Sequence, residues 1–420
     1  RAMNSELKNA IKKYEEIERN FIDQIEGKYK LKFDKKGVFS KNHAYNLLGE
    51  SPFVNFKSDA CVACRTGVNT NTAYLSLRCN KDCYFCFNPN QENYDKDVKR
   101  KLDTKSIANS ILKNNKNIKF VALTGGEPLL YKNDTVEFFD TIKSKNDAIH
   151  KRLYTNGEFL DADILKRLRD SGVDEVRVSI KLEDDFEKQA DVIENIETAK
   201  KYIKCVVAEM PVIPRTTEQM KNIMRHLDAV GIDGMNLLEF CFPLHNEKEY
   251  IKRGFLLKFP PFEVFYNYWY AGGLAISGSE TQALALLKFA EDERLKMGVH
   301  YCSLANKHLG QIYRQNTAYP AEKWQYFSPK DYFLKTAKVF GEDAYKAREI
   351  LHKNDINEYN LSAEFNFLEF HPKYVPLFAD TGVKIGLSYY VTEFKEGDLF
   401  LRELKIKEIT EAAKFDIEAV

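Results

Sequence analysis

The chain has 420 residues, with 63 basic and 62 acidic side chains and a formal charge of +1. That balance gives no global field to draw in nucleic acid or an anionic membrane, and no apolar run of about 18 residues offers a membrane span. Hydrophobic content of 44% and aromatic content of 13% suffice for two or three domains, or one barrel with additions, while eight cysteines are too few for a disulfide scaffold and read as metal ligands.

The opening Arg1-Ala2-Met3 lacks a charged-then-apolar signal pattern, so a cytoplasmic protein is expected. Residues 4–30 read as a charged helix with Leu7, Ile11, Tyr14 and Ile17 on one face. Residues 31–71 are irregular, broken by Gly37, Gly49 and Ser51-Pro52, and contain Cys61-Val62-Ala63-Cys64. From Tyr74 strands and helices alternate. Strands are predicted at Tyr74–Cys79, Lys119–Leu123, Arg152–Thr155, Glu175–Ile180, Lys204–Glu209 and Gly234–Phe240. Helices are expected near Thr104–Lys113, Asp134–Lys143 and Ala162–Asp170. Two more carry Val192, Ile196, Ala199 and Ile203, then Met220, Ile223, Leu227 and Val230, with Gly231 ending the last. Such an alternation calls for a parallel sheet with right-handed crossovers, here a partial (β/α)6 barrel.

Beyond Phe242, residues 243–278 are rich in Pro, Gly and aromatics, including Phe259-Pro260-Pro261-Phe262 and Tyr266–Tyr270, and suit either a lid or a packed excursion. A helix near Glu280–Lys296, a strand Val299–Ser303 and another helix follow, then a small α/β appendage with a strand at Lys384–Glu393. The chain thus divides into an N-terminal extension (1–71), the barrel (72–242), a lid or linker with a helix-strand-helix (243–319) and the appendage (320–420).

Two strings in the barrel carry chemistry. Cys79, Cys83 and Cys86 form C-x3-C-x2-C at a strand exit, and no fourth cysteine follows before Cys205. Three thiolates on one loop hold three corners of a 4Fe–4S cluster and leave one iron open. Leu123-Thr124-Gly125-Gly126-Glu127-Pro128 follows the next strand; paired glycines permit close backbone approach, and a carboxylate accepts from an ammonium group. Both lie at C-terminal ends of strands, where α/β barrels put their chemistry.

Together these strings resemble the radical S-adenosylmethionine (radical SAM) superfamily, in a branch similar to pyruvate formate-lyase-activating-enzyme-like proteins. The resemblance runs over roughly residues 60–316; the chain departs from glycyl-radical activases in its length, its N-terminal extension and its appendage. It implies a 4Fe–4S cluster on Cys79, Cys83 and Cys86, whose open iron chelates SAM, and reductive cleavage to a 5′-deoxyadenosyl radical that takes hydrogen from an unactivated carbon. It further implies that Phe85 packs near adenine and that Gly125, Gly126 and Glu127 receive the SAM amino group. Asn156, Ser179 and Lys181 would meet ribose or carboxylate, and Glu209, Pro211 and Ile213 would lie in a segment cradling adenine. An open cluster is oxygen-labile, which favours an anaerobic setting and a flavodoxin- or ferredoxin-type electron donor.

A second metal site is expected from Cys61 and Cys64, whose C-x2-C spacing lets both thiolates face one ion, completed by His300 and Cys302, two apart on a strand; His308 is a further candidate. Thiolate-rich ligation favours zinc, iron or an auxiliary Fe–S cluster. Cys205 and Cys241 read as structural, and His43, His150, His226, His245, His352 and His371 as surface or core residues. The leading function is a radical SAM enzyme acting on a peptide or protein. The alternatives are a cobalamin-type radical SAM methyltransferase, an enzyme modifying a small molecule or nucleoside, and a non-catalytic Fe–S carrier.

Overall fold

The computed structural model describes residues 5–36, 51–266 and 272–420. Gly37, His43 and Gly49, and most of the Tyr266–Tyr270 string, fall outside the described residues.

Helix α1 (Ser5–Tyr29) opens the chain, followed by a short strand β1 (Phe53–Val54) and a short helix α2 (Asp59–Cys64). The alternation then runs β2 (Thr70–Tyr74), α3 (Tyr94–Asp97), α4 (Thr104–Asn114), β3 (Phe120–Thr124), α5 (Lys132–Lys145), β4 (His150–Thr155), α6 (Ala162–Asp170) and β5 (Glu175–Val178). It continues with α7 (Phe186–Lys200), β6 (Cys205–Val212), α8 (Thr217–Val230) and β7 (Gly234–Glu239). After β8 (Cys241–Phe242), α9 (Glu247–Lys252) and β9 (Leu274–Ala275) come α10 (Ser279–Asp292), β10 (Gly298–Cys302) and α11 (Leu304–Asn316).

All of these strands but β8 and β9, which pair with each other, form one eight-stranded sheet in the order β1-β10-β7-β6-β5-β4-β3-β2, parallel except for β1. The sheet is the expected partial barrel, with one addition. β10, expected after the barrel, pairs in parallel with β7 from Gly298↔Gly234 to Cys302↔Leu238 and so extends it. The first strand also differs. Pairing ends at Tyr74, and the apolar Leu75 and Leu77 bond instead to Leu102 and Asp97, outside the sheet.

Helix starts are fixed by side chains: Asp103, Asp161 and Asp185 accept from Ser106, Ile164 and Lys188 backbone amides at the heads of α4, α6 and α7. Gly231 closes α8 at φ 79°, a left-handed conformation. Each helix lays its apolar stripe on the sheet, as Ile164, Leu165 and Leu168 of α6 do. On β5, Val176 and Val178 face this core while Glu175 and Arg177 alternate into the barrel lumen.

Residues 243–266 pack rather than dangle. Tyr250 and Phe255 join Phe240, Phe242 and Tyr84 in an aromatic cluster that also takes in Leu31 and Phe33 from the segment after α1.

The last hundred residues are a mainly antiparallel sheet carrying one long helix. Its strands β11 (Tyr326–Phe327), β12 (Leu334–Phe340), β13 (Tyr359–Ser362), β14 (Phe367–Phe370), β15 (Ile385–Lys395) and β16 (Asp398–Ile409) take the order β13-β14-β12-β15-β16, with β11 beside β12. Helix α12 (Glu342–Lys353) contributes Ala344, Ala347 and Leu351 to its core. α1 crosses to this sheet: Tyr14 donates to Glu403 at 2.6 Å, Lys405 pairs with Glu18 at 2.9 Å, and Leu7 is fully buried. Leu7→Ala is therefore expected to cost about 2–5 kcal/mol in chemical denaturation and to raise protease sensitivity in α1.

Candidate active site

Cys79, Cys83 and Cys86 line one cavity of about 320 Å³ at the C-terminal ends of the parallel strands, together with Phe85, Gly125, Gly126, Glu127, Asn156, Ser179 and Lys181. Six segments meet there, and the cysteine loop is tied to several of its neighbours. Lys81 bridges Asp184, at 2.8 Å, and Glu158; Asn156 Nδ2 donates to Asn80 Oδ1 at 2.7 Å; Asn88 Nδ2 donates to the Gly125 carbonyl at 2.6 Å. From residues past β7, His245 Nε2 lies 2.7 Å from the Cys86 carbonyl oxygen and Asn246 donates to the Tyr84 carbonyl at 3.1 Å.

The paired glycines serve a contact more specific than openness. Gly126 and Glu127 backbone amides donate to the Ser76 and Arg78 carbonyls at 3.0 and 2.9 Å. A Cβ at Gly126 would lie 1.9 Å from the Arg78 oxygen, and one at Gly125 would lie 2.6 Å from the Ser76 oxygen. Gly125 also adopts φ 111°, a region that L side chains rarely enter. The glycines thus let the β3 loop seat against the backbone that leads into the cysteines.

Glu127 is buried, and its carboxylate is already engaged. It accepts from the Leu129 amide (2.9 Å) and Thr155 hydroxyl (2.8 Å) on one oxygen and from the Asn156 amide (2.7 Å) on the other. Burial pushes its pKa up against the pull of these donors. The expectation that this carboxylate receives an ammonium group meets a side chain whose bonds hold the ends of β3 and β4 together. Asn156 is occupied likewise by Glu127 and Asn80.

Lys181 is a cation of the site, beside Arg78 and Lys81. Its Nζ lies 5.9 Å from the Phe85 ring centre; burial raises the Cys83 and Cys86 thiols above their usual value, and the Lys181 charge offsets only part of that rise. A positive charge beside clustered thiols favours thiolates, the form that ligates iron. Three thiols, a flanking cation and a cavity open between them and the glycine turn fit a cluster carrying an anionic sulfur core. Among the described residues no three His, Cys, Asp or Glu side chains are grouped tightly enough to hold a single ion. A cubane asks for something else, one thiolate on each of three separate irons.

Glu209, Pro211 and Ile213 are outside the cavity wall. Glu209 points into the lumen, where it takes Arg177 at 2.6 Å and Asn236 at 2.7 Å, and Ile213 is buried in the aromatic cluster. The lumen carries a linked polar set. Arg177 also pairs with Glu175 at 2.5 Å, Ser58 donates to Glu175 at 2.7 Å, and Cys61 Sγ lies 3.1 Å from Arg177 Nη2. His300 Nδ1 meets Asn236 Oδ1 at 3.0 Å, and burial pushes its pKa down to about 3. His308 faces Phe262 and Tyr266 instead, because its place on α11 turns it to that aromatic pair. Lys81, Tyr154, His245 and Asn246 also line the cavity; His245, expected as a surface or core residue, is drawn there by its bond to the Cys86 carbonyl, and the spacing of these residues along the chain offers no signal.

Residues 74–227 match the family model of the radical SAM superfamily. This stretch is a radical SAM domain, and the protein is an enzyme of radical chemistry; the family of that domain implies a 4Fe–4S cluster and SAM. A putative glycyl-radical enzyme activating enzyme of Methanocaldococcus jannaschii is 28% identical over 314 residues, covering 71% of this chain and 78% of that protein. A probable GTP 3′,8-cyclase of Metallosphaera sedula is 28% identical over 175 residues, 39% of this chain and 53% of that protein. Among solved structures, Streptococcus suis SuiB aligns with TM-score 0.41 and 13% identity over 62% of this chain; the aligned part spans 54% of the SuiB chain. Among the described residues no helix is long and apolar enough to cross a membrane.

Two measurements test the geometry. Gly126→Ala is expected to destabilise by about 1–3 kcal/mol or more and to speed hydrogen exchange at the Gly126 and Glu127 amides, which donate to the cysteine loop. Burial pushes Glu175 up, but His150, Arg177, Arg152 and Ser58 overcome it and hold its carboxyl at about 2, against 4.5 unperturbed. The stability this confers is present above the unfolded value and is lost as pH falls from 4.5 towards 2. The stability gap between wild type and Glu175→Gln should therefore shrink by about 3 kcal/mol between pH 5 and pH 2 in denaturant titrations.

Proposed function

We propose that this radical SAM enzyme takes a hydrogen atom from an unactivated carbon of a peptide or protein, drawing its electron from a flavodoxin- or ferredoxin-type donor in a reducing, oxygen-poor cytoplasm. The observation that carries the radical chemistry is the convergence of Cys79, Cys83, Cys86 and Lys181 on one cavity at the strand ends. The substrate class is supported by the archaeal relative, whose name is that of an enzyme activating another enzyme and which matches 71% of this chain.

In this reading the three thiolates hold the cluster and Lys181 balances its charge. Phe85 forms a wall of the cavity, Ser179 offers a hydroxyl, and Glu127 and Asn156 keep the glycine turn and the β4 end in place. When bound, the cluster and SAM supply one-electron cleavage of a sulfonium, and the side chains orient the reacting atoms and keep water away. The cyclase relative supports a second reading, action on a nucleotide, through the barrel alone.

Protein reconstituted anaerobically with iron and sulfide, then given SAM and dithionite, should release 5′-deoxyadenosine, and Cys83→Ala should reduce that release to background. With deuterated peptides, the label should pass into 5′-deoxyadenosine. Transfer from deuterated GTP and not from peptide would replace this substrate class with a nucleotide.

A further inference from the structure

The appendage sheet ends in a long strand whose outer side has no partner among the described residues. β16 (Asp398–Ile409) lies at one end of the order β13-β14-β12-β15-β16 and pairs only with β15. Its first five residues, Asp398-Leu399-Phe400-Leu401-Arg402, are all exposed. Leu399, Phe400 and Leu401 are 47%, 50% and 43% exposed, and Phe394, opposite Leu399 on β15, is 64% exposed. The exposed stretch stops at Glu403 and Lys405, which α1 reaches through Tyr14 and Glu18.

The turn that leads into this strand fixes which of its backbone groups are free. Glu396 and Gly397 join β15 to β16 at φ 55° and 96°, a two-residue hairpin turn with both central residues at positive φ. Such a turn makes the flanking Lys395–Asp398 pair a hydrogen-bonded one, and bonded and non-bonded pairs then alternate along the ladder. Phe400 and Arg402 therefore direct their amides and carbonyls to β15, while Leu399 and Leu401 direct theirs to the open edge. An edge that is apolar at its centre invites another strand, and natural edges are commonly blunted by charge or proline. Here the stretch holds no proline, and its charges, Asp398 and Arg402, stand only at its two ends.

We propose that this edge pairs with the same edge of a second copy of the chain, antiparallel about a two-fold axis at Phe400. In that register Leu399 faces the partner's Leu401, Phe400 faces the partner's Phe400, and Asp398 faces the partner's Arg402 at both ends. Backbone and side chains agree on it. Leu399 and Leu401 carry the outward amides and carbonyls, so each Leu399–Leu401 pair exchanges both of its hydrogen bonds. The two Phe400 rings and the Asp398–Arg402 pairs then fall at non-hydrogen-bonded positions, where facing side chains stand closest. A parallel pairing in register sets Asp398 against Asp398 and Arg402 against Arg402, so the charges select the two-fold arrangement. Arg402 keeps its bond to Glu393, at 3.2 Å, and has further N–H donors for the partner's Asp398. The paired stretch is short beside the roughly 1,200–2,000 Å² of a standard stable interface, so the dimer forms and dissociates with concentration. No residue of the appendage lines the cysteine cavity, and the pairing does not depend on the substrate class.

Sedimentation velocity of the whole protein tests this. The wild type should move from the mass of one chain to that of two as its concentration rises. Over the same range hydrogen exchange at the Leu399 and Leu401 amides should slow, while the Phe400 amide, already bonded to β15, should not change. Asp398→Arg and Arg402→Asp, both at exposed positions, should each raise the dissociation constant roughly tenfold or more. An equal mixture of these two variants should dimerise again, because opposite charges then face each other at both ends. Phe400→Lys should leave only the mass of one chain. A wild type that keeps the mass of one chain at every concentration overturns the proposal, even if an added extended peptide protects the same amides, a result that assigns the edge to a peptide instead. A dimer indifferent to both charge reversals and to Phe400→Lys overturns it as well.

Discussion

Two backbone hydrogen bonds, from Gly126 and Glu127 to the carbonyls of Ser76 and Arg78, fix where the three cysteines stand. They form only because neither Gly125 nor Gly126 carries a Cβ, which would overlap the backbone of residues 76–78. The buried Glu127 carboxylate then locks this junction to β4 through Thr155 and Asn156. One carboxylate thus organises two strand ends, and three hydrogen bonds offset part of its desolvation. The Gly-Gly-Glu string is at once the wall of the cavity and the frame of the loop that faces it.

The second constraint is the charged lumen. A barrel of this size could be filled by branched apolar side chains, but here Glu175, Arg177, Glu209, Asn236 and His300 occupy it. In such surroundings an unpaired group is expensive and a paired one is held rigidly. Arg177 binds two carboxylates and the Cys61 thiol, and approaches Tyr154 in the wall of the cysteine-lined cavity. The segment ahead of the barrel is therefore part of the barrel: α2 plugs its lumen, and β1 pairs with β10.

Much of this was legible in the sequence, and the pattern of what was not has physical causes. The cysteine spacing, the glycine pair and six strand–helix units are local signals, and they carried a resemblance over roughly residues 60–316 of which the family model matches 74–227. The place of β10 was not, because its parallel partner β7 lies some sixty residues earlier and only tertiary packing joins them. Leu75 and Leu77 imitate a strand by alternation, yet their burial comes from loop bonds to Leu102 and Asp97. His245 and Asn246 act on carbonyls of the cysteine loop from 159 and 162 residues away, and no periodicity announces that. Glu209 sits at a strand position that suits a ligand, but an inward-facing carboxylate one turn of the pleat lower meets Arg177 first.

The account rests on a cluster with a vacant corner beside the glycine turn. The most direct measurement is the electron paramagnetic resonance spectrum of the dithionite-reduced protein before and after SAM is added. The account predicts a 4Fe–4S signal that changes shape on adding SAM and that is lost in Cys86→Ala. A reduced cluster whose spectrum ignores SAM, or one that survives replacement of Cys79, Cys83 and Cys86 together with an unaltered response to SAM, would contradict it.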